Sequence, residues 1–107
     1  MPAASPPDTL KILIHAPTPA ALARARKNAA NLLRARPDAE VRLVLNGEAV
    51  AAALEGAPDT SDALTWLCPN TLANTGLAAR EPMRPLPAPA ILALATLQGE
   101  GWAYVRA

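Results

Sequence analysis

Residues 10–35 read LKILIHAPTPAALARARKNAANLLRA, and this stretch decides the fold. Its first part is rich in leucine and isoleucine, which is typical of a strand buried on both faces. Thr18 is a good N-cap and Pro19 a good first helical residue, and leucine and alanine then recur at helical spacing. We therefore predict a strand over 9–16 that is followed by a helix over 19–35.

The alternation of strands and helices continues to the last residues. We expect a strand over 41–45, a helix over 48–54, a polar loop over 57–62, a strand over 63–67, a brief helix over 69–75, an edge strand near 83–86, a helix over 89–98 and a strand over 102–106. Short connections between such elements predict parallel βαβ units. The sequence thus indicates one three-layer, Rossmann-like α/β domain over 9–107, with a mostly parallel sheet of about five strands. Residues 1–8 contain three prolines and are expected to form a flexible leader.

The composition argues against several classes of partner. The 107 residues include ten Lys plus Arg and nine Asp plus Glu, so the net charge of +1 creates no strong field for nucleic acid or an anionic membrane. No stretch approaches the roughly 20 apolar residues that span a bilayer, and the first residues lack a signal-peptide pattern. We predict a cytoplasmic protein that binds neither nucleic acid nor membrane.

Motifs for cofactor chemistry are also missing. The single histidine and single cysteine cannot complete a zinc site, and the chain has no glycine-rich phosphate loop or dinucleotide fingerprint. Its acidic residues are scattered one by one over loops and helix ends. We expect no metal and no cofactor.

Three polar side chains fall at the ends of predicted strands. His15, Asn46 and Cys68 each end or follow a strand, and ligands of open parallel sheets bind beyond the carboxyl ends of the strands. We expect these three residues at one edge, where His15, Asn46 and Asn70 would bind a ligand. The alternative is that each residue only caps a strand or fills a gap.

Cys68 is the candidate catalytic residue. Pro69 favours an extended Cys68 at the N-cap of a short helix, where free amides and the helix dipole stabilise a thiolate. We therefore predict a partly accessible thiol with a lowered pKa. The alternative is a structural cysteine that Trp66 and Leu67 bury.

Two helices suggest contacts with partners. The helix over 19–35 and Arg36 directly after it carry half of the basic residues, which form either a solvated face or a docking surface for an acidic partner. The helix over 89–98 is apolar almost all round, and aromatic residues make up only 3% of the chain. A second subunit or the chain itself must cover that helix, and we favour the subunit because a small, aromatic-poor core gains much from further burial.

The order of these pieces resembles the DsrE/DsrF-like family of small sulfur-relay and uncharacterised α/β proteins. The resemblance lies in KILIH at 11–15, KNAANLL at 27–33, AEVRLVLNG at 39–47, CPNTL at 68–72 with Gly76-Leu77, and QGEGWAYV at 98–105. It implies a Rossmann-like sheet and assembly into trimers, hexamers or dimers. It also implies that Cys68 matches a cysteine that carries sulfur as a persulfide between proteins in some relatives.

Three functional hypotheses follow. In the first, an intracellular sulfur-handling protein carries sulfane sulfur as a persulfide on Cys68 and passes it to a partner. Its partner is a protein that donates or accepts the sulfur. In the second, a non-catalytic oligomeric module binds a ligand or protein and Cys68 is structural; whichever function holds, we predict a homo-oligomer, with a trimer favoured over a hexamer or dimer. In the third, Cys68 and His15 form a small hydrolase, although no orienting acid is evident.

Overall fold

The computed structural model describes residues 9–107, so the leader expected over 1–8 lies outside the described residues. The elements are β1 (Lys11–Ala16), α1 (Pro19–Ala35), β2 (Glu40–Leu45), α2 (Glu48–Glu55), a 3₁₀ helix (Thr60–Leu64), β3 (Thr65–Leu67), α3 (Pro69–Thr75), β4 (Arg84–Pro85), α4 (Ala90–Gly99) and β5 (Ala103–Arg106). No helix in this range combines the length and apolarity needed to cross a membrane.

The strands form one sheet in the order β4-β3-β2-β1-β5. Every neighbouring pair is parallel, so the prediction of an α/β, Rossmann-like domain with about five strands is confirmed. Because the strands share one direction, their C-terminal ends meet at a single edge. We call this edge the carboxyl rim.

The side chains of the sheet build two separate cores. Ile14, Leu43 and Leu67 pack with α1 and α2 on one face of the sheet. Leu13 and Val44, which alternate with them along β1 and β2, pack with α4 on the other face. The result is a three-layer arrangement in which helices cover both faces, as continuous apolar strands require.

Local chemistry explains the positions of the helices around the rim. The Thr18 hydroxyl accepts the Ala21 N–H at 3.1 Å and caps α1, as the sequence predicts. Gly47 precedes α2 with φ of 56°, and a Cβ placed there would lie 3.0 Å from the Pro17 carbonyl oxygen. Glycine at this position therefore lets the loop after β2 approach the loop after β1 closely.

The segment before β3 differs from the prediction of a loop over 57–62 and a strand over 63–67. Asp59 starts a 3₁₀ helix because its side chain accepts the Ser61 N–H while the Asp62 side chain accepts the Asp59 N–H. This capping box lies within the predicted loop, and the helical structure that it starts continues through Leu64. Only Thr65–Leu67 remain for the strand.

Asp62 is buried and joins several elements. Its carboxylate, 2% exposed, pairs with Arg26 of α1 at 3.5 Å and with Arg80 at 3.2 Å. Arg80 also donates to the backbone carbonyls of Ala53, Leu54 and Gly56 at the end of α2. Arg26 therefore belongs to a structural cluster, which corrects the interpretation of all the basic residues of α1 as one solvated or docking face.

Candidate functional site

The carboxyl rim brings together the three polar residues that the sequence singled out. His15 is the penultimate residue of β1, Asn46 directly follows β2 and Cys68 directly follows β3. Since β1, β2 and β3 are parallel neighbours, the prediction that these residues share one edge is confirmed.

His15 and Asn46 are in direct contact. The Nε2 atom of His15 lies 2.9 Å from Oδ1 of Asn46, and Nδ1 lies 2.6 Å from the Tyr104 hydroxyl of β5. The amide oxygen can only accept, so these contacts fit the tautomer of His15 in which Nε2 donates to Asn46 and Nδ1 accepts from the tyrosine hydroxyl. Tyr104 was not among the predicted site residues, although the alternation of Trp102, Tyr104 and Arg106 along the last strand places it on one face.

Cys68 is more buried than expected. The residue is only 6% exposed, so the prediction of a partly accessible thiol is wrong. Its neighbours in the core are Leu86 and the first turn of α4, and Sγ accepts the backbone N–H of Ala90 at 3.5 Å. The segment that leads from the edge strand β4 into α4 thus covers the sulfur, a long-range contact that no local pattern indicates.

Opposing influences act on the thiol of Cys68. Burial is the largest of them and raises the pKa. Hydrogen bonds from the backbone of Ala90, from the backbone and hydroxyl of Thr71 and from the backbone of Asn70 lower the pKa, and together they outweigh burial. The pKa of Cys68 therefore lies below its ordinary value, as predicted, with Ala90 of α4 as an additional donor.

Thr71 connects the sulfur to the loop after β2. Its Oγ1 accepts the Gly47 N–H at 3.2 Å, while its hydroxyl also contributes a hydrogen bond to Cys68. A hydroxyl has one proton and two lone pairs, so both interactions are compatible. The bond from Gly47 uses a lone pair of the hydroxyl oxygen and leaves the hydroxyl proton available to Cys68.

The structure does not bring together two expected groups of residues, namely Asn70 with His15 and Asn46, and Cys68 with His15. The side chain of Asn70 is exposed and makes no hydrogen bond to His15 or Asn46 among residues 9–107, and only its backbone reaches the sulfur. His15 and Cys68 lie two strands apart, roughly 10 Å at the usual strand spacing. Since His15 bonds Asn46 and Tyr104 instead, the Cys–His dyad of the hydrolase hypothesis is not formed.

A cavity of about 590 Å³ opens beside the rim, between α2 and α3. Gly47 and Thr71 line it, together with Glu48 and Glu55, whose charges disfavour an anionic ligand. Cys68 does not line this cavity. No three His, Cys, Asp or Glu side chains of the described residues cluster closely enough to hold a metal ion.

The fold and the carboxyl rim define a three-layer α/β protein. At the carboxyl edge of its parallel sheet, a thiol accepts a hydrogen bond from a backbone amide. Comparison of the chain with protein-family models and with curated proteins found no match. The resemblance to DsrE/DsrF-like proteins thus stays a prediction, and so do the ligand-binding roles of His15, Asn46 and Asn70.

Proposed function

We propose that the protein handles sulfane sulfur and that Sγ of Cys68 is the atom that accepts it. The observation that carries the proposal is the set of hydrogen-bond donors around this one sulfur. Backbone N–H groups from α3 and α4 and the Thr71 hydroxyl lower the pKa of the thiol even though burial raises it. A purely structural cysteine needs no such donors, because a neutral thiol is a small apolar group.

Loading begins with the Cys68 thiolate as nucleophile. It attacks the terminal sulfur of a polysulfide or of a donor persulfide, and a new bond forms between Sγ and that sulfur. The sulfur–sulfur bond of the donor breaks, and its electron pair leaves with the shorter polysulfide or donor thiolate. Cys68 then carries a persulfide, and no external oxidant or reductant is consumed.

Release reverses the roles. A thiolate of an acceptor attacks the outer sulfur of the persulfide, and Cys68 leaves as a thiolate. A low pKa makes a sulfur a better leaving group while it reduces its intrinsic nucleophilicity. The donors around Sγ therefore favour transfer of the sulfur onward, which is the behaviour of a carrier.

The burial of Cys68 restricts the reagents that reach it. With 6% of the residue exposed, the native thiol favours small donors such as inorganic polysulfide over a bulky protein disulfide. The same cover slows further oxidation of the thiolate. A cytoplasmic location fits this chemistry because a reducing compartment keeps a lone cysteine in its thiol form.

The proposal is tested by loading the native protein with sodium polysulfide and removing the excess. We expect whole-protein mass spectrometry to show the added mass of one sulfur atom, and an acceptor thiol such as free cysteine to remove it. Cys68→Ser is the matched control and should gain nothing. A native protein that stays unloaded, or a Cys68→Ser protein that loads equally, contradicts the proposal.

A non-catalytic homo-oligomeric module is the second candidate, and the surface of α4 favours it. Ile91 is 80% exposed and Leu92 56% exposed, although α4 is one of the most apolar segments of the chain. Contact with a second copy would cover these side chains. In this candidate the rim binds a small ligand or a protein, Cys68 only packs, and a trimer remains the expected assembly.

A further inference from the structure

Both tryptophans of the chain lie on the α4 face of the sheet, and three cations alternate with them. Arg42 on β2 places its guanidinium carbon 5.0 Å from the ring centroid of Trp66 and 4.7 Å from that of Trp102. Arg84 lies 5.5 Å from Trp66, and the Lys11 ammonium lies 5.9 Å from Trp102. We call these five residues the cation–tryptophan row. The row crosses the sheet from Arg84 of β4 to Trp102, the residue directly before β5.

The cations of the row have no carboxylate partner. Within residues 9–107, ion pairs join carboxylates to Arg26, Arg36 and Arg80, and none involves Lys11, Arg42 or Arg84. Carboxylates do lie in the neighbourhood. Glu40 is opposite Lys11 in the sheet, Glu100 lines a cavity with Arg42, and Glu81 lines one with Arg84. The cations nevertheless contact the rings, which leaves their charge available to a partner.

The ring contacts also leave the N–H donors of the guanidinium groups available for binding. A guanidinium that lies over an aromatic ring uses its flat face, while its N–H donors lie in the plane and point outward. These donors match the two oxygens of a carboxylate in a bidentate pair. Because the ring already restricts the side chain, less conformational entropy is lost when the carboxylate binds.

An apolar cavity adjoins the row. It has a volume of about 290 Å³, and Arg42 lines it together with Leu86, Leu92 and Leu97. Arg42 therefore belongs both to the row and to the wall of the cavity. A ligand that binds this surface needs carboxylates for the cations and a large apolar side chain for the cavity.

We infer that this surface docks an extended segment of a partner protein in which acidic and large apolar residues alternate. Five neighbouring strands span roughly 19 Å, which about six extended residues cover. Single-stranded nucleic acid fits less well, because Trp102 is 7% exposed and the cations already occupy the ring faces on which bases would stack. The nearby Glu40 and Glu100 also oppose a continuous polyanion but not spaced carboxylates.

The test is a titration of the full chain with a synthetic peptide that alternates glutamate and leucine. Emission from Trp66 and Trp102 reports binding, because the chain has no other tryptophan. We expect a Kd below about 1 mM, and we expect this Kd to rise as salt is added because salt screens the charges. A peptide with glutamine in place of glutamate should bind at least tenfold more weakly, and so should oligothymidylate.

Variants separate this surface from general charge effects. Arg84→Gln and Lys11→Gln are each expected to weaken peptide binding about fivefold, and Arg84 is an exposed edge residue whose loss the fold tolerates. Arg24→Gln removes the same charge from the exposed side of α1 and should change the Kd less than twofold. The inference is overturned by absent peptide binding, by tighter binding of oligothymidylate, or by an equal effect of Arg24→Gln.

Discussion

The backbone N–H of Ala90 donates to Sγ of Cys68 at 3.5 Å. Ala90 is the first residue of α4 and Cys68 is the N-cap of α3, so one sulfur atom lies at the beginnings of two helices. Partial positive charge at helix N-termini stabilises an anion. This relationship explains how a buried thiol keeps a pKa below its ordinary value.

The Thr71 hydroxyl supplies part of this stabilisation. Replacing it in Thr71→Val removes a hydrogen bond that lowers the pKa of Cys68, so we expect that pKa to rise. Titration of the thiolate by its ultraviolet absorbance measures the change. Thr71→Ser retains the hydroxyl and should restore the lower pKa.

Thr75→Val is the matched control for this prediction. Its hydroxyl donates to the Thr71 and Leu72 carbonyls on the same helix and does not reach the sulfur. The pKa of Cys68 should therefore stay at its wild-type value. Equal shifts in Thr71→Val and Thr75→Val would assign the effect to the helix as a whole.

Asp62 should contribute strongly to stability. Asp62→Asn leaves Arg26 and Arg80 without their buried partner, so we expect the free energy of unfolding to fall by about 2–3 kcal/mol. Urea denaturation measures it. The surface pair of Asp38 with Arg36 provides a comparison, and Asp38→Asn should have a much smaller effect. Similar losses in both variants would show that the cluster is not structural.

Exposed side chains on α4 predict self-association. Light scattering should show a homo-oligomer, and Ile91→Glu should shift it towards monomer because a carboxylate cannot be buried without a partner. Ala23→Glu on the exposed side of α1 should leave the assembly intact. A wild-type monomer of 11.1 kDa would mean that α4 functions with Ile91 uncovered.

The sequence predicts the order of elements and the rim well, because both depend on local signals. Thr18 with Pro19 marks the start of α1, and Cys68 with Pro69 marks the start of α3. Parallel order then brings His15, Asn46 and Cys68 to one edge. The third strand is shorter than predicted because the Asp59 capping box continues into Leu64.

Long-range packing accounts for the features that the sequence does not predict. Ala90 follows Cys68 by 22 residues, and only the folding of β4 against β3 brings α4 over the sulfur. Asp62 reaches Arg26 across 36 residues. Such contacts leave no periodic pattern, so neither the cover of the thiol by α4 nor the ion cluster could be foreseen.

The rate of Cys68 alkylation as a function of pH tests the central claim most directly. Iodoacetamide is small enough to probe a thiol of low exposure, and each rate is divided by its own high-pH plateau to remove the effect of burial. We predict that the native protein reaches half of its plateau at a lower pH than the same chain unfolded in urea, because the folded state binds the thiol proton more weakly. A native midpoint equal to or above that of the unfolded chain would contradict an amide-stabilised thiolate and, with it, the sulfur-handling function.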